Sequence, residues 1–137
     1  MGKPKFAMYW AAACGGCDVA VLDLAEMFLE VANLFEVVFW PIAVDFKYSD
    51  VEKMADGEID LCLFSGAVRN SEQEQMAHLL RRKSKALVAY GSCAYLGGIP
   101  ALANFFKGEE VLSRAYREVP SLDNPDGRLH SPRAEVP

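Results

Sequence analysis

Cysteine is the residue type whose spacing carries most chemistry in this sequence. Cys14-Gly15-Gly16-Cys17 sets two thiols three positions apart with two glycines between them. The glycines permit a tight turn and close approach of backbone to a bound group. Two thiolates so spaced can reach one metal centre. Taken alone, the pair suits dithiol redox exchange, half of a zinc site, or part of an iron–sulfur site. Cys93, in Gly91-Ser92-Cys93, is a third thiol far along the chain. Cys62 is flanked by Leu61 and Leu63 and reads as a small buried hydrophobe.

Whether Cys93 can join the pair depends on the elements between them. Phe6 to Trp10 reads as a buried strand, and Ala11 to Gly16 as a loop of small residues. From Cys17 to about Leu34 the apolar spacing predicts one helix, with Asp23, Glu26 and Glu30 on a polar face and much of the rest buried. Phe35 to Trp40 is a second strand, bounded by Pro41. Ser49-x-x-Glu52 predicts a capped short helix ending near Gly57. Ile59 to Phe64 is a third strand, and Ser71-x-x-Glu74 opens a helix that is acidic at its start and basic at its end. Ala86 to Tyr90 is a fourth strand; Pro100 can start a further helix and Gly108 can close it. Regular alternation of strand and helix predicts an α/β fold, a doubly wound parallel sheet of about four strands with helices on both faces. Ligands of such sheets sit outside the carboxyl ends of the strands. Cys14 and Cys17 follow the first strand and Cys93 the fourth, so one edge should carry all three. A third thiol there favours a metal or cluster site over dithiol exchange, which does not need it.

The bulk properties narrow the setting. A length of 137 residues suits one domain with a substantial core. The formal charge of −5 and the lack of a Lys/Arg stripe argue against a nucleic-acid surface. No apolar run is long enough for a membrane span, and the start of the chain lacks the pattern of a signal peptide. The expected location is therefore cytoplasmic, where cysteines more often hold metals or do redox work than form disulfides. Four of the seven prolines lie beyond about Glu118 and large apolar residues thin out there. The expected layout is a cluster-binding domain over 1–117 and an extended Pro-rich tail over 118–137.

Three ordered motifs bring a family into view. Tyr9-Trp10-Ala11-Ala12-Ala13-Cys14-Gly15-Gly16-Cys17-Asp18 resembles the opening motif of [NiFe]-hydrogenase small subunits. Ser65-Gly66-Ala67-Val68-Arg69-Asn70 is similar to the segment after their third strand. Gly91-Ser92-Cys93-Ala94 with Gly97-Gly98-Ile99-Pro100 is similar to their second cysteine motif. The resemblance is strongest to the cytoplasmic methyl-viologen-reducing (F420-non-reducing) group. The related 20 kDa subunit of NADH-ubiquinone oxidoreductase has a paired-cysteine opening motif that is absent here. The resemblance implies a flavodoxin-like domain in which Cys14, Cys17 and Cys93 bind a proximal [4Fe–4S] cluster. It implies an electron-transfer subunit of a hydrogenase complex, itself without bond-making chemistry. The Ni–Fe centre would lie in a partner large subunit, and further electron-transfer subunits of flavin or heterodisulfide-reductase type would follow.

Two departures accompany that resemblance. The family's fourth cysteine lies in a downstream Gly-Cys-Pro-Pro motif not found in this sequence. A missing C-terminal segment beyond Pro137 explains this best; a substitute ligand such as His130, or an incomplete cluster, are the alternatives. Asp18 stands where many relatives have Glu, near the large subunit. It is a candidate for proton transfer or partner contact, against the plainer reading of an acid in the first turn of a helix. Two other functions fit the same thiols: a thiol–disulfide oxidoreductase using Cys14 and Cys17, and a zinc-stabilised interaction module. The loop after the first strand has no Ser or Thr to hold a flavin phosphate.

Overall fold

The computed structural model describes residues 2–129. Four parallel strands, β1 (Lys5–Trp10), β2 (Glu36–Phe39), β3 (Ile59–Ser65) and β4 (Ser84–Tyr90), form one sheet in the order β2-β1-β3-β4. Around them lie α1 (Gly16–Leu22), α2 (Met27–Leu34), α3 (Tyr48–Lys53), α4 (Ser71–Lys83), α5 (Ser92–Tyr95) and α6 (Gly108–Tyr116), with a 3₁₀ turn at Pro100–Phe105. The expected parallel α/β architecture is present.

Side chains alternate across the pleat, so each strand feeds two cores. Ala7, Tyr9, Phe39, Cys62 and Phe64 pack with Val51 of α3 and with Met76, Leu79 and Leu80 of α4. Phe6, Met8 and Trp40 form the other core, with Phe28 of α2 and Leu61 and Leu63 packed against them. Aromatic edges lock this second core: Trp40 meets Phe28 at a centroid distance of 5.8 Å and Phe6 at 6.4 Å, both T-shaped.

Charge gathers at the amino ends of the strands. Asp60 accepts from the Lys5 backbone N–H at 2.7 Å and from Lys85 Nζ at 2.6 Å, and Lys5 pairs with Glu58. The Lys85 ammonium, helped by that N–H, holds the Asp60 carboxyl below the usual range. Lys83 lies buried at the end of α4, where Nζ donates to Met54 O at 2.5 Å and pairs with Asp56 at 3.0 Å.

Several expectations need correction. The single helix expected over 17–34 is two, separated by turns at 23–26 in which Ala25 takes φ 50°. The break lets α2 set Phe28 against Trp40. Its burial also differs: α2 has no buried residue, and only Asp18 is buried in α1. Both caps sit earlier than expected, by two residues at α3 and by one at α4. Lys47 precedes α3 and its N–H donates to Asp50 at 2.9 Å; Asn70 caps α4 by accepting from the Gln73 N–H at 2.9 Å. Glu52 and Glu74 are not the capping acids. Pro100 opens a 3₁₀ turn rather than an α-helix, and Gly108 starts α6 instead of closing a helix. The cause is Glu110, whose carboxylate accepts from the Lys107 N–H at 2.9 Å and nucleates a new turn. Residues 118–129 hold no helix or strand. They are folded back by the Arg117 guanidinium on Gly127 O and by the Asn124 amide on Tyr116 O.

Candidate functional site

Register brings the cysteine loops to one edge. Trp10 of β1 is level with Ser65 of β3, and Ser65 with Tyr90 of β4. The residues that follow each, leading to Cys14, Gly66 and Cys93, therefore leave the sheet side by side at its carboxyl end.

Main-chain bonds then fix the loops. Ala11 N donates to Ser65 O at 2.8 Å, and Ala12 and Ala67 exchange two N–H···O bonds at 3.0 Å. Gly66 makes this approach possible: a Cβ there would lie 2.9 Å from Ala11 C and Ala12 N. The Trp10 indole covers the cysteine loop. Its ring sits 3.0 Å from where a Gly15 Cβ would be, and its Nε1 donates to Ala13 O at 3.0 Å. Gly15 takes φ 85° at the start of α1, a conformation other residues adopt at a cost.

The thiols fall into two classes. Cys14 is exposed, and Cys17 and Cys93 are half-buried. Cys14 Sγ lies 3.5 Å from the Gly16 N–H. Cys17 Sγ rests on Gly91, where a Cβ would stand only 2.2 Å from the sulfur. Gly91 is two residues before Cys93, so the second thiol of the first motif touches the segment that carries the third. Gly98 folds back on Cys93 in the same way, with 3.3 Å between its would-be Cβ and Sγ. Cys62 is apart from them, fully buried in the α3–α4 core. Burial pushes its thiol up to about 12, opposed by the charge of Arg81. Its reading as a small hydrophobe agrees with this placement.

Among the described residues, no three His, Cys, Asp or Glu side chains gather as ligands of one metal ion. An iron–sulfur core is several atoms across, and its thiolates stand apart from one another. The three free thiols, the glycines beside two of them and the shared edge fit that larger group better than a single ion. His130 lies outside the described residues.

Asp18 is 1% exposed, turned inward beneath α1. Its Oδ1 accepts from Trp40 Nε1 at 2.8 Å, and Oδ2 is buried with no hydrogen-bond partner among the described residues. Sequence spacing gave no sign of Trp40 as its partner, because the two residues belong to different elements. Arg69 is exposed; it lines a cavity of about 410 Å³ whose wall includes Cys93, Gly97, Pro100 and Asn104. Tyr9, in the opening motif, belongs to the core, stacked on Phe39 at 6.2 Å. Tyr95 is exposed at the rim. No helix among the described residues is long and apolar enough to cross a membrane.

Comparisons with known proteins agree with the geometry. The iron-sulfur subunit of the F420-non-reducing hydrogenase of Archaeoglobus profundus is 47% identical over 129 residues, covering 93% of this chain and 40% of the relative. A subunit of the vhu F420-non-reducing hydrogenase of Methanocaldococcus jannaschii is 38% identical, covering 97% of this chain and 43% of the relative. The crystal structure of an NAD+-reducing [NiFe]-hydrogenase in the H2-reduced state aligns with a TM-score of 0.81 at 29% identity, over 95% of this chain and 68% of that one. The chain thus spans about two fifths of the length of the curated relatives it matches. The family described as NADH ubiquinone oxidoreductase, 20 kDa subunit, matches residues 14–125, from the first thiol of the opening motif to well past Cys93. On that match, and on a parallel sheet that delivers both cysteine motifs to one edge, this chain belongs to the NADH ubiquinone oxidoreductase 20 kDa subunit family, with hydrogenase subunits among its relatives.

Proposed function

We propose that the chain is the electron-transfer small subunit of a cytoplasmic [NiFe] hydrogenase complex, with Cys14, Cys17 and Cys93 as ligands of a [4Fe–4S] cluster. When bound, that cluster supplies one-electron transfer between a Ni–Fe centre in a separate large subunit and downstream carriers of flavin or heterodisulfide-reductase type. The observation that carries the reading is the contact of Cys17 Sγ with Gly91, two residues before Cys93.

The chain's own residues hold and screen the group. Cys14, Cys17 and Cys93 donate thiolates. Gly91 and Gly98 leave room at the sulfurs, and loop N–H groups offset negative charge. Trp10 covers the loop and limits water. For the fourth position the alternatives stay as the sequence left them: a cysteine of a longer chain, a substitute such as His130, or an incomplete cluster. The exposed Tyr95, Leu96 and Ile99, which follow Cys93 closely in the chain, make an apolar rim suited to the large subunit. Residues 1–117 serve as the cluster-binding domain and 118–137 as the segment leading out of it.

The test is anaerobic purification of the full-length chain with its neighbouring subunits, followed by assay of iron, acid-labile sulfide and zinc. Iron with sulfide, a broad visible absorption that bleaches on reduction, and loss of both in Cys93→Ser are expected. Zinc without sulfide points instead to the interaction module. Rapid alkylation of Cys14 and Cys17 with no iron points to dithiol exchange.

A further inference from the structure

We infer that the Ser65 hydroxyl donates a hydrogen bond to a sulfur of the iron–sulfur cluster and thereby raises the cluster's reduction potential. The inference deepens the relay reading and rests on it.

Topology puts this residue between the two cysteine motifs. β3 lies between β1, which leads to Cys14 and Cys17, and β4, which leads to Cys93. Ser65 is the last residue of β3, level with Trp10 of β1 and with Tyr90 of β4. Residues in register on parallel strands point to the same face of the sheet. That face is the one α1 covers. The Trp10 ring lies against Gly15, the residue before α1, and Asp18 of α1 bonds Trp40 in the core that Tyr90 packs against. One residue beyond Tyr90, Gly91 has Cys17 Sγ resting on it.

The hydroxyl is buried and unpaired. Ser65 is 0% exposed, whereas Trp10 beside it is 40% exposed. Its Oγ has no hydrogen-bond partner among the described residues. A hydroxyl withdrawn from water needs a partner to offset its desolvation. The common solution, a bond to a main-chain carbonyl, is not used. Asp18 Oδ2, the other orphaned atom on this face, is an acceptor, yet the two do not bond each other. Of these two atoms only the hydroxyl can donate to an anionic sulfur; a carboxylate oxygen would repel it. The remaining orphan, Ser84 Oγ, sits at the amino end of β4, away from the cysteine rim. A donor at a cluster sulfur stabilises the reduced state, which carries more negative charge, and so raises the potential.

The experiment is a potentiometric titration of the anaerobically purified complex, unaltered and with Ser65→Ala, read by electron paramagnetic resonance of the reduced cluster. The variant is expected to keep its iron and acid-labile sulfide and to titrate at a lower potential. At a fixed applied potential its ratio of reduced to oxidised cluster should fall by about threefold to tenfold, tenfold being about 59 mV for one electron. After exchange into deuterated buffer, the unaltered complex should show a coupled deuteron that the variant lacks. An unchanged potential overturns the inference, the hydroxyl then serving a buried water instead. A shifted potential with the deuteron coupling intact also overturns it, because altered packing then explains the shift. Loss of iron and sulfide from Ser65→Ala does the same, since Ser65 would then be needed to hold the cluster. An unaltered complex without iron and sulfide removes the relay reading together with this inference; one that holds both, with a silent variant, removes the inference alone.

Discussion

Trp40 and Asp18 meet in the interior through a single hydrogen bond, indole Nε1 to carboxylate Oδ1 at 2.8 Å, while Oδ2 faces no donor among the described residues. The bond joins the end of β2 to the first turn of α1, one residue past Cys17. It therefore sets the depth at which α1 sits on the sheet. Trp40→Phe removes the donor and leaves a buried acceptor unpaired. A loss of about 2–4 kcal/mol is expected, part of it from lost ring volume. Asp18→Asn keeps the volume and an acceptor, and should cost less. Denaturant unfolding of both variants checks this; equal losses would show that an amide cannot replace the carboxylate as the acceptor.

Gly91→Ala should fail for two separable reasons. Its φ of 84° is unfavourable for alanine, and its Cβ would collide with Cys17 Sγ at 2.2 Å. Gly57→Ala shares the first problem alone, since φ is 71° but the nearest atom, Lys85 Cγ, is 3.9 Å away. The control should cost about 1 kcal/mol. Gly91→Ala should cost more, and should lower bound iron per chain in the anaerobic preparation while Gly57→Ala leaves it unchanged.

Cys62 gives the protein a pH dependence on the alkaline side. Its thiol loses a proton at an ordinary 9.0 when unfolded but only at about 12 when folded, because burial penalises the thiolate. Between those values the folded state holds one more proton. Stability from this group is therefore intact below the lower value and falls as pH rises, by about 1.4 kcal/mol per unit. Unfolding midpoints across that window should drop less steeply in Cys62→Ala. In the same experiment, brief alkylation of the native chain without metal should label Cys14 and spare Cys62.

Asn70→Ala should cost about 1 kcal/mol, the usual worth of a side-chain N-cap. Its Oδ1 is the acceptor for the Gln73 N–H at the start of α4. Thermal unfolding would detect it, and exchange of the Gln73 amide should quicken locally.

The strands were legible because Phe6–Trp10 of β1 and Leu61–Phe64 of β3 are continuous apolar runs, the pattern of a sheet covered on both faces. From strand order came the shared edge, and with it the joint placement of Cys14, Cys17 and Cys93. The break between α1 and α2 was not legible. No Gly or Pro marks residues 23–26, and Ala25 takes its positive φ without any composition signal. Burial misled for a different reason. Leu29 and Leu34 look like core residues by type, but that inference assumes the chain covers its own apolar surface. The caps moved, by two residues at α3 and one at α4, because the acceptors used were Asn70, Asp50 and Glu110, each within reach of a main-chain N–H that a Ser/Thr-based pattern passes over. Trp40 and Asp18 find each other only in three dimensions.

The clasp between residues 11–12 and 65–67 consists entirely of peptide groups. Such an anchorage is indifferent to side-chain identity at positions 12 and 67, so inherited variation there can accumulate while the thiol-bearing turn keeps its place. Position 66 enjoys no such latitude. A single methyl group would pry the two turns apart, which makes an achiral residue the hinge on which descendants of this sequence keep or lose the geometry.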